Sequence, residues 1–238
     1  MAKIVLCILL IVAAPVLASG EGPGAARPDK VVLIVDRRAD SVTLFFSMPA
    51  TELAPTFGTG ADALLDAEGT VDIDLLYEGT YELADKIFAP VRTEIDGQPV
   101  AFEALSMMVH DPDVLPGFET PWDGETSVAV CTSPETVDLM GLESLQAYLA
   151  FYAWKVNGLA PVTMTFPRSG RALSEIEVRD FWNLQHTGTR TVSPDAGGSI
   201  TFSAGQGTRL EFPTLWLLAA ACFGLGLVFL ALHRRETT

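Results

Sequence analysis

Short runs of apolar and β-branched residues, separated by turn residues, make up most of the first 200 residues. Residues 31–36 and 41–48 are two such runs joined by four polar or small residues, which predicts an antiparallel hairpin. Residues 91–95 and 100–109 flank Asp96-Gly97, and Asp-Gly between two apolar runs is a strong hairpin signal. We therefore predict two hairpins in the first half of the chain.

Other stretches predict further strands around loops. In residues 70–77 apolar side chains alternate with aspartates, which favours a half-buried strand. Residues 111–124 contain three prolines and two glycines and are predicted as a long loop, and residues 127–131 as a short strand. A short helix or loop is expected up to about residue 144. The remaining predicted strands are residues 147–156, 162–166, 173–182 and 199–203.

Eight or so short strands with turn residues between them indicate a mainly β fold. We predict an antiparallel β-sandwich-like domain over residues 30–210, or two small β units in tandem with a boundary near residues 111–125.

The longest apolar run is residues 214–232, which carry no charge and are followed by His233, Arg234 and Arg235. As a helix these 19 residues extend about 28 Å, close to the thickness of a bilayer's hydrocarbon core. We predict a transmembrane helix here. Basic residues favour the cytoplasmic side, so residues 233–238 become a cytoplasmic tail and the preceding domain lies outside the cytosol.

The N-terminus supports this orientation. Lys3 precedes an apolar segment, and Val16 and Ala18 are residues that a signal peptidase accepts, so residues 1–18 are predicted to be a cleaved signal peptide. Cleavage after Gly20 and an uncleaved anchor are the alternatives. Residues 19–29 are rich in Gly, Pro and Ala and are interpreted as a linker.

The cysteines and the lack of glycosylation sites point to a bacterial envelope. Cys7 lies in the predicted signal and Cys222 in the predicted span, which leaves Cys131 as the one thiol of the outer domain. No Asn-x-Ser/Thr site occurs in the sequence. We expect a single-pass protein of the bacterial inner membrane, with its N-terminal domain in the periplasm and its C-terminus in the cytoplasm.

The outer part is strongly acidic. Between the signal and the tail there are 12 basic and 29 acidic residues, a formal charge of −17. This charge argues against nucleic acid as a partner, because nucleic-acid binding requires positive patches. It is compatible with cations or basic proteins, and equally with a role in keeping an exported domain soluble. Several arginines lie toward the membrane-proximal part, among them Arg168, Arg171, Arg179, Arg190 and Arg209.

The sharpest candidate for chemistry is residues 107–113. Thioether and imidazole groups are suitable copper ligands, and strand alternation would place Met108 and His110 on one face. Asp111 and Asp113 could supply oxygens to calcium. Core packing by Met108 and loop or capping roles for His110 are the simpler interpretations. We therefore expect no cofactor, with copper or calcium binding as alternatives.

Enzymatic motifs are lacking. The chain contains no Gly-x-Ser-x-Gly or His-Glu-x-x-His sequence, and nothing in the sequence links Cys131 to His110 as a catalytic pair. We therefore expect a protein that is not an enzyme, and a membrane-tethered hydrolase is the alternative.

The predicted span carries an interaction signal of its own. Ala220 and Gly224, and likewise Cys222 and Gly226, are small residues four apart, a spacing that lets another helix approach closely. This pattern favours other membrane or periplasmic proteins as partners. The sequence therefore predicts an accessory or assembly component of an envelope complex.

Overall fold

Two β-sheets carry most of the regular structure in the computed structural model, which describes residues 30–114, 117–131, 140–167 and 175–204. The strands are β1 Val31–Arg38, β2 Ser41–Pro49, β3 Arg92–Ile95, β4 Gln98–Pro99, β5 Glu103–His110, β6 Gln146–Trp154, β7 Val162–Thr165, β8 Ile176–Trp182, β9 Gln185–Val192 and β10 Ser199–Phe202. One sheet has the order β5-β6-β2-β1-β8-β9, and the other has the order β10-β7-β3-β4. The prediction of a mainly β chain is confirmed.

Strand β1 lies near the middle of the six-stranded sheet, and its sequence explains that position. The run VVLIV is apolar at every residue, so both faces of the strand can be buried. Leu33 belongs to the main core, whereas Val32 and Ile34 belong to a second cluster on the opposite face. β1 pairs antiparallel with β2 but parallel with β8. The expectation of a purely antiparallel arrangement is therefore wrong for this pair, because β8 returns to β1 after a long crossover instead of a hairpin.

The main hydrophobic core is shared by both sheets and by two of the three α-helices described, α1 Leu53–Phe57 and α2 Ile73–Phe88. Aromatic rings connect these elements. Phe57 of α1 meets Phe46 of β2 edge-on at 5.5 Å, and Phe88 of α2 stacks on Phe151 of β6 at 3.9 Å between ring centroids. Ring contacts of this kind add to the stabilisation that the buried area itself provides.

Helix α2 begins inside the stretch predicted as a strand, so that prediction is wrong. Asp72 caps the helix, because its carboxylate accepts hydrogen bonds from the backbone N–H groups of Asp74 and Leu75 at 2.9 and 3.1 Å. The buried residues then recur at helical spacing: Ile73, Leu76, Leu83, Ala84, Ile87 and Phe88. Alternation over residues 70–77 was too short to distinguish the two periodicities.

The third α-helix described, α3 Pro121–Ala129, replaces the end of the predicted loop and most of the predicted strand at residues 127–131. Thr120 and Asp123 form a reciprocal capping box, and Pro121 occupies the first turn, where no backbone donor is needed. The helix packs on the second face of the six-stranded sheet, where Gly124 lies against the ring of Phe45.

The hairpin predictions are confirmed in part. β1 and β2 pair as predicted, and Asp96-Gly97 turns between β3 and β4. However, residues 103–110 leave that hairpin and form β5, which pairs with β6 in the other sheet. Strand β9 was not predicted at all, because its sequence QHTGTRTV is mostly polar. It lies at the edge of the sheet, where burial demands little apolar character.

Several predicted segments lie outside the described residues: the signal peptide at residues 1–18, the linker at 19–29, the span at 214–232, the tail at 233–238, and the helix-packing residues Ala220, Gly224 and Gly226. Among the residues that are described, no helix has the length and apolar character needed to cross a membrane.

Candidate functional site

A groove of about 470 Å³ lies between the C-terminal end of α2 and the β3–β4 hairpin. Phe88 and Phe102 contribute apolar surface, and their ring centroids lie 6.3 Å apart. Asp85, Arg92 and Glu94 place charges of both signs around it. This volume falls within the usual range for ligand-binding clefts, and an apolar lining with a few charges is typical of a surface that binds an extended segment or a side chain.

Exposed tyrosines continue this groove along α2. Tyr77, Tyr81 and Asp85 are spaced by four residues and therefore follow one side of the helix. Tyr81 is 58% exposed, and Tyr77 is 38% exposed. Tyrosine combines a rigid apolar ring with a polar end, and it is enriched at protein interfaces. The groove and these tyrosines together are called the α2 surface below.

The histidine proposed as a copper ligand is buried at the end of β5. The Nε2 atom of His110 lies 2.8 Å from the backbone carbonyl oxygen of Ser127 on α3, and the imidazole meets the ring of Tyr148 edge-on. Burial lowers the pKa of His110, and the contact with the Ser127 carbonyl opposes this shift in part. The same burial raises the pKa of Tyr148 to about 12. His110 thus connects α3 to the six-stranded sheet.

The other proposed metal ligands take different positions. Met108 is buried in the main hydrophobic core. Asp111 is half-buried, and its carboxylate accepts a hydrogen bond from the backbone N–H of the exposed Asp113 at 2.9 Å. Within the described residues, no group of three or more His, Cys, Asp or Glu side chains is arranged to hold a metal ion.

The thiol considered as a nucleophile is exposed. Cys131 follows the end of α3 and closes the segment predicted as a strand at residues 127–131, and that strand prediction is wrong because most of the segment is helical. His110 is buried against Ser127 in the same region of the fold. Among the described residues that line the groove at α2, none is a serine, cysteine or histidine.

A buried charge network joins the two sheets, and sequence reasoning missed it. The guanidinium of Arg37 is fully buried and donates to Asp180 Oδ1, to the carbonyl oxygens of Gly158 and Ala160 at 3.0 Å each, and to that of Phe202 at 3.3 Å. Burial lowers the pKa of Arg37 to about 10. The sequence had placed Arg37 in the connection between the first two predicted strands, whereas it belongs to β1. The alternation of β1 was the available signal, because Arg37 shares a face with Leu33 and Val35.

Arg190 of β9 adds a second cation to this network. It forms an ion pair with Asp180 and donates to the carbonyl oxygen of Ser203. Burial and the neighbouring charge of Arg37 both lower the pKa of Arg190. The network therefore connects β1, β8, β9 and the end of β10.

Comparison with known proteins adds no assignment: no protein-family model matches this chain, and a search of curated proteins finds no similar sequence. The candidate site therefore rests on the geometry of the α2 surface.

Proposed function

We propose that this protein is a single-pass protein of the bacterial inner membrane whose acidic periplasmic domain binds another membrane or periplasmic protein, as an accessory or assembly component of an envelope complex. The signal-like N-terminus and the apolar run at residues 214–232 support the location. The α2 surface supports the binding role.

The observation that carries the proposal is the continuity of exposed tyrosines with an open groove. Protein interfaces are enriched in tyrosine at their centres and surrounded by polar residues. Tyr77 and Tyr81 supply such aromatic surface, and Asp85 and Glu94 provide a polar rim. An apolar side chain of the partner would enter the groove beside Phe88 and Phe102, while the tyrosines would cover the adjoining backbone.

The alternatives have less support. For copper or calcium, His110 Nε2 already contacts the Ser127 carbonyl, and the Asp111 carboxylate already accepts the Asp113 N–H. For a membrane-tethered hydrolase, the described lining of the groove offers carboxylates and Thr93 but no imidazole base. Binding of a partner protein, in contrast, requires only an exposed surface such as the α2 surface.

Photo-crosslinking in native membranes tests the proposal. A photoreactive residue replaces Tyr81 in one variant of the full-length protein and Trp122 in a second variant, where the side chain on α3 is at least as exposed, 72% against 58%. We expect one protein adduct from position 81 that is absent from position 122. Co-purification of the same partner should fall at least tenfold in Tyr81→Ala and persist in Trp122→Ala. If both positions give the same adducts, or none, the binding role of the α2 surface is wrong.

A further inference from the structure

Three large apolar side chains are exposed together at one end of the six-stranded sheet. Trp154 ends β6 and is 57% exposed, Leu159 lies in the following loop and is 45% exposed, and Leu184 lies in the β8–β9 turn and is 60% exposed. Strand pairing places Trp154 and Leu184 at the same end, because Ser41 pairs with both Trp154 and Arg38, and Arg37 pairs with Trp182, where β8 ends. We call this surface the Trp154 end.

The last described strand, β10, also ends close to this end of the sheet. Arg37 donates to the carbonyl oxygens of Gly158 and Ala160, on either side of Leu159, and the same guanidinium donates to the carbonyl oxygen of Phe202 in β10. The backbone N–H of Asn183, next to Leu184, donates to the carbonyl oxygen of Arg37 at 2.9 Å. Arg37 therefore connects the Trp154 end to β10, the last strand among the described residues.

The length of the intervening chain limits how far this end can lie from the membrane. Nine residues, 205–213, separate Ala204 from the apolar run that begins at Thr214. Even fully extended, they reach about 30 Å. With the proposed anchor in place, Ala204 therefore lies within about 30 Å of the bilayer, and the Trp154 end lies beside the strand that precedes Ala204.

The turn that carries Leu184 holds an unfavourable backbone. Trp182 pairs with Gln185, so Asn183 and Leu184 form a two-residue turn, and their φ angles are 48° and 65°. Turns with positive φ at both central residues favour glycine at the second, as in Asp96-Gly97 between β3 and β4. A leucine there is strained, and because its side chain is 60% exposed it contributes little to the core. Strain retained at an exposed position points to a role in binding.

The exposed charges at the Trp154 end are more compatible with lipid headgroups than the overall acidic charge of the domain is. Arg38 and Lys155 are exposed here, and Lys155 Nζ lies 5.6 Å from the centre of the Trp154 ring. Asp40 lies in the β1–β2 turn, and Asp96 is nearby because its backbone N–H donates to the carbonyl oxygen of Pro161 at 3.0 Å. Arg38 also contacts the buried Asp36 at 3.3 Å. The exposed charges are balanced, whereas the outer part as a whole carries −17. Tryptophan beside lysine is typical of membrane interfaces.

We propose that the Trp154 end docks on the periplasmic leaflet of the bilayer, with Trp154, Leu159 and Leu184 inserted at headgroup level and Lys155 and Arg38 beside lipid phosphates. This inference rests on the proposed single-pass anchoring. Docking would hold the domain in one orientation and direct the α2 surface toward partners in the same membrane.

Photo-crosslinking of the full-length protein in proteoliposomes of phosphatidylethanolamine and phosphatidylglycerol tests this docking. A photoreactive residue replaces Trp154, Leu159 or Leu184, one at a time, with position 122 as the control. We expect lipid adducts at the three positions and at least a tenfold lower yield at position 122. Protein adducts in native membranes, in place of lipid, would show that a protein covers this surface and would overturn the proposal, as would an absence of lipid adducts.

Carbonate extraction of the same membranes separates the two proposals. If the protein stays in the membrane while positions 154, 159 and 184 give no lipid adduct, docking fails and the anchor stands. If carbonate releases the protein, the anchor fails and docking through it fails as well.

Leu184→Gly gives a readout that a purely structural role would not produce. Glycine removes the backbone strain, so the urea midpoint of unfolding should rise. Loss of a leucine from the membrane interface should lower the lipid-adduct yield at position 159 about tenfold. A matched Leu105→Gly change, at an exposed leucine of β5, should leave that yield unchanged. A raised midpoint with an unchanged yield would show that Leu184 has no part in docking.

Discussion

Arg37 Nε lies 2.9 Å from Asp180 Oδ1, and neither side chain has any exposed surface. The two residues are 143 positions apart in the chain, on β1 and β8, the one parallel pair of strands in the described sheets. Around this contact, the remaining guanidinium donors bind carbonyl oxygens of the loop after β6 and of β10. The pair thus joins the larger sheet to the smaller one.

Removing one partner of this pair should destabilise the fold strongly. Asp180→Asn leaves the buried charge of Arg37 without its carboxylate, and breaking buried pairs costs about 3–5 kcal/mol. We expect urea unfolding, followed by tryptophan fluorescence, to show a loss of this size. Lys30→Ala removes a surface ion pair, Lys30 to Glu177 at 3.9 Å, and should cost less than about 1 kcal/mol. Equal effects of the two changes would contradict the structural role assigned to Asp180.

Two glycines offer a matched test of the packing beside Leu159. A Cβ at Gly158 would overlap the backbone carbonyl oxygen of Arg38, whereas a Cβ at Gly188 would meet no atom within 4 Å. We expect Gly158→Ala to lower the free energy of unfolding by about 1–3 kcal/mol, the usual cost of overpacking. Gly188→Ala should have little effect or stabilise slightly. The denaturant midpoints of the two variants measure this difference. An unchanged midpoint in Gly158→Ala would mean that the loop after β6 lies farther from the β1–β2 turn than the structure shows.

The buried imidazole predicts a dependence of stability on pH. Because burial lowers the folded-state pKa of His110 below its unfolded value near 6.5, the unfolded chain binds more protons in that window. The stability contributed by neutral His110 is therefore present above about pH 6.5 and is lost as the pH falls through the folded-state pKa. His110→Gln should flatten the change in unfolding midpoint between pH 7.5 and 5.5. Identical pH profiles for the unaltered protein and His110→Gln would rule out this assignment.

Metal removal separates the copper and calcium hypothesis from a structural role for His110 and Asp111. Since the oxygen and nitrogen atoms concerned already have protein partners, we expect EDTA to leave the thermal midpoint within about 1 °C. Copper and calcium measured by mass spectrometry should be substoichiometric in the purified protein. A stoichiometric metal that is lost in His110→Ala would instead establish the metal site.

Local sequence was sufficient where a segment's own residues decide its structure. The apolar runs of β1 and β2 and the Asp96-Gly97 turn contain their signals within a few residues, so the mainly β character and both turns could be predicted. The caps at Asp72 and Thr120 were also present in the sequence, but short alternation at residues 70–77 and the apolar run near residue 128 resembled strands. Residues 73–77 are identified as the start of a helix only by the buried residues of α2, which recur at helical spacing where the helix packs on the sheet.

The sequence alone also led to the predicted signal, anchor and acidic outer domain, since length, hydropathy and charge need no tertiary contacts. Tertiary structure decided the rest. It paired β1 with β8 in parallel, buried Arg37 with Asp180 across 143 residues, and placed Trp154, Leu159 and Leu184 at one end. These relationships join distant segments, and no local pattern encodes them, because the energy of burying a charge or exposing a leucine depends on which strands become neighbours.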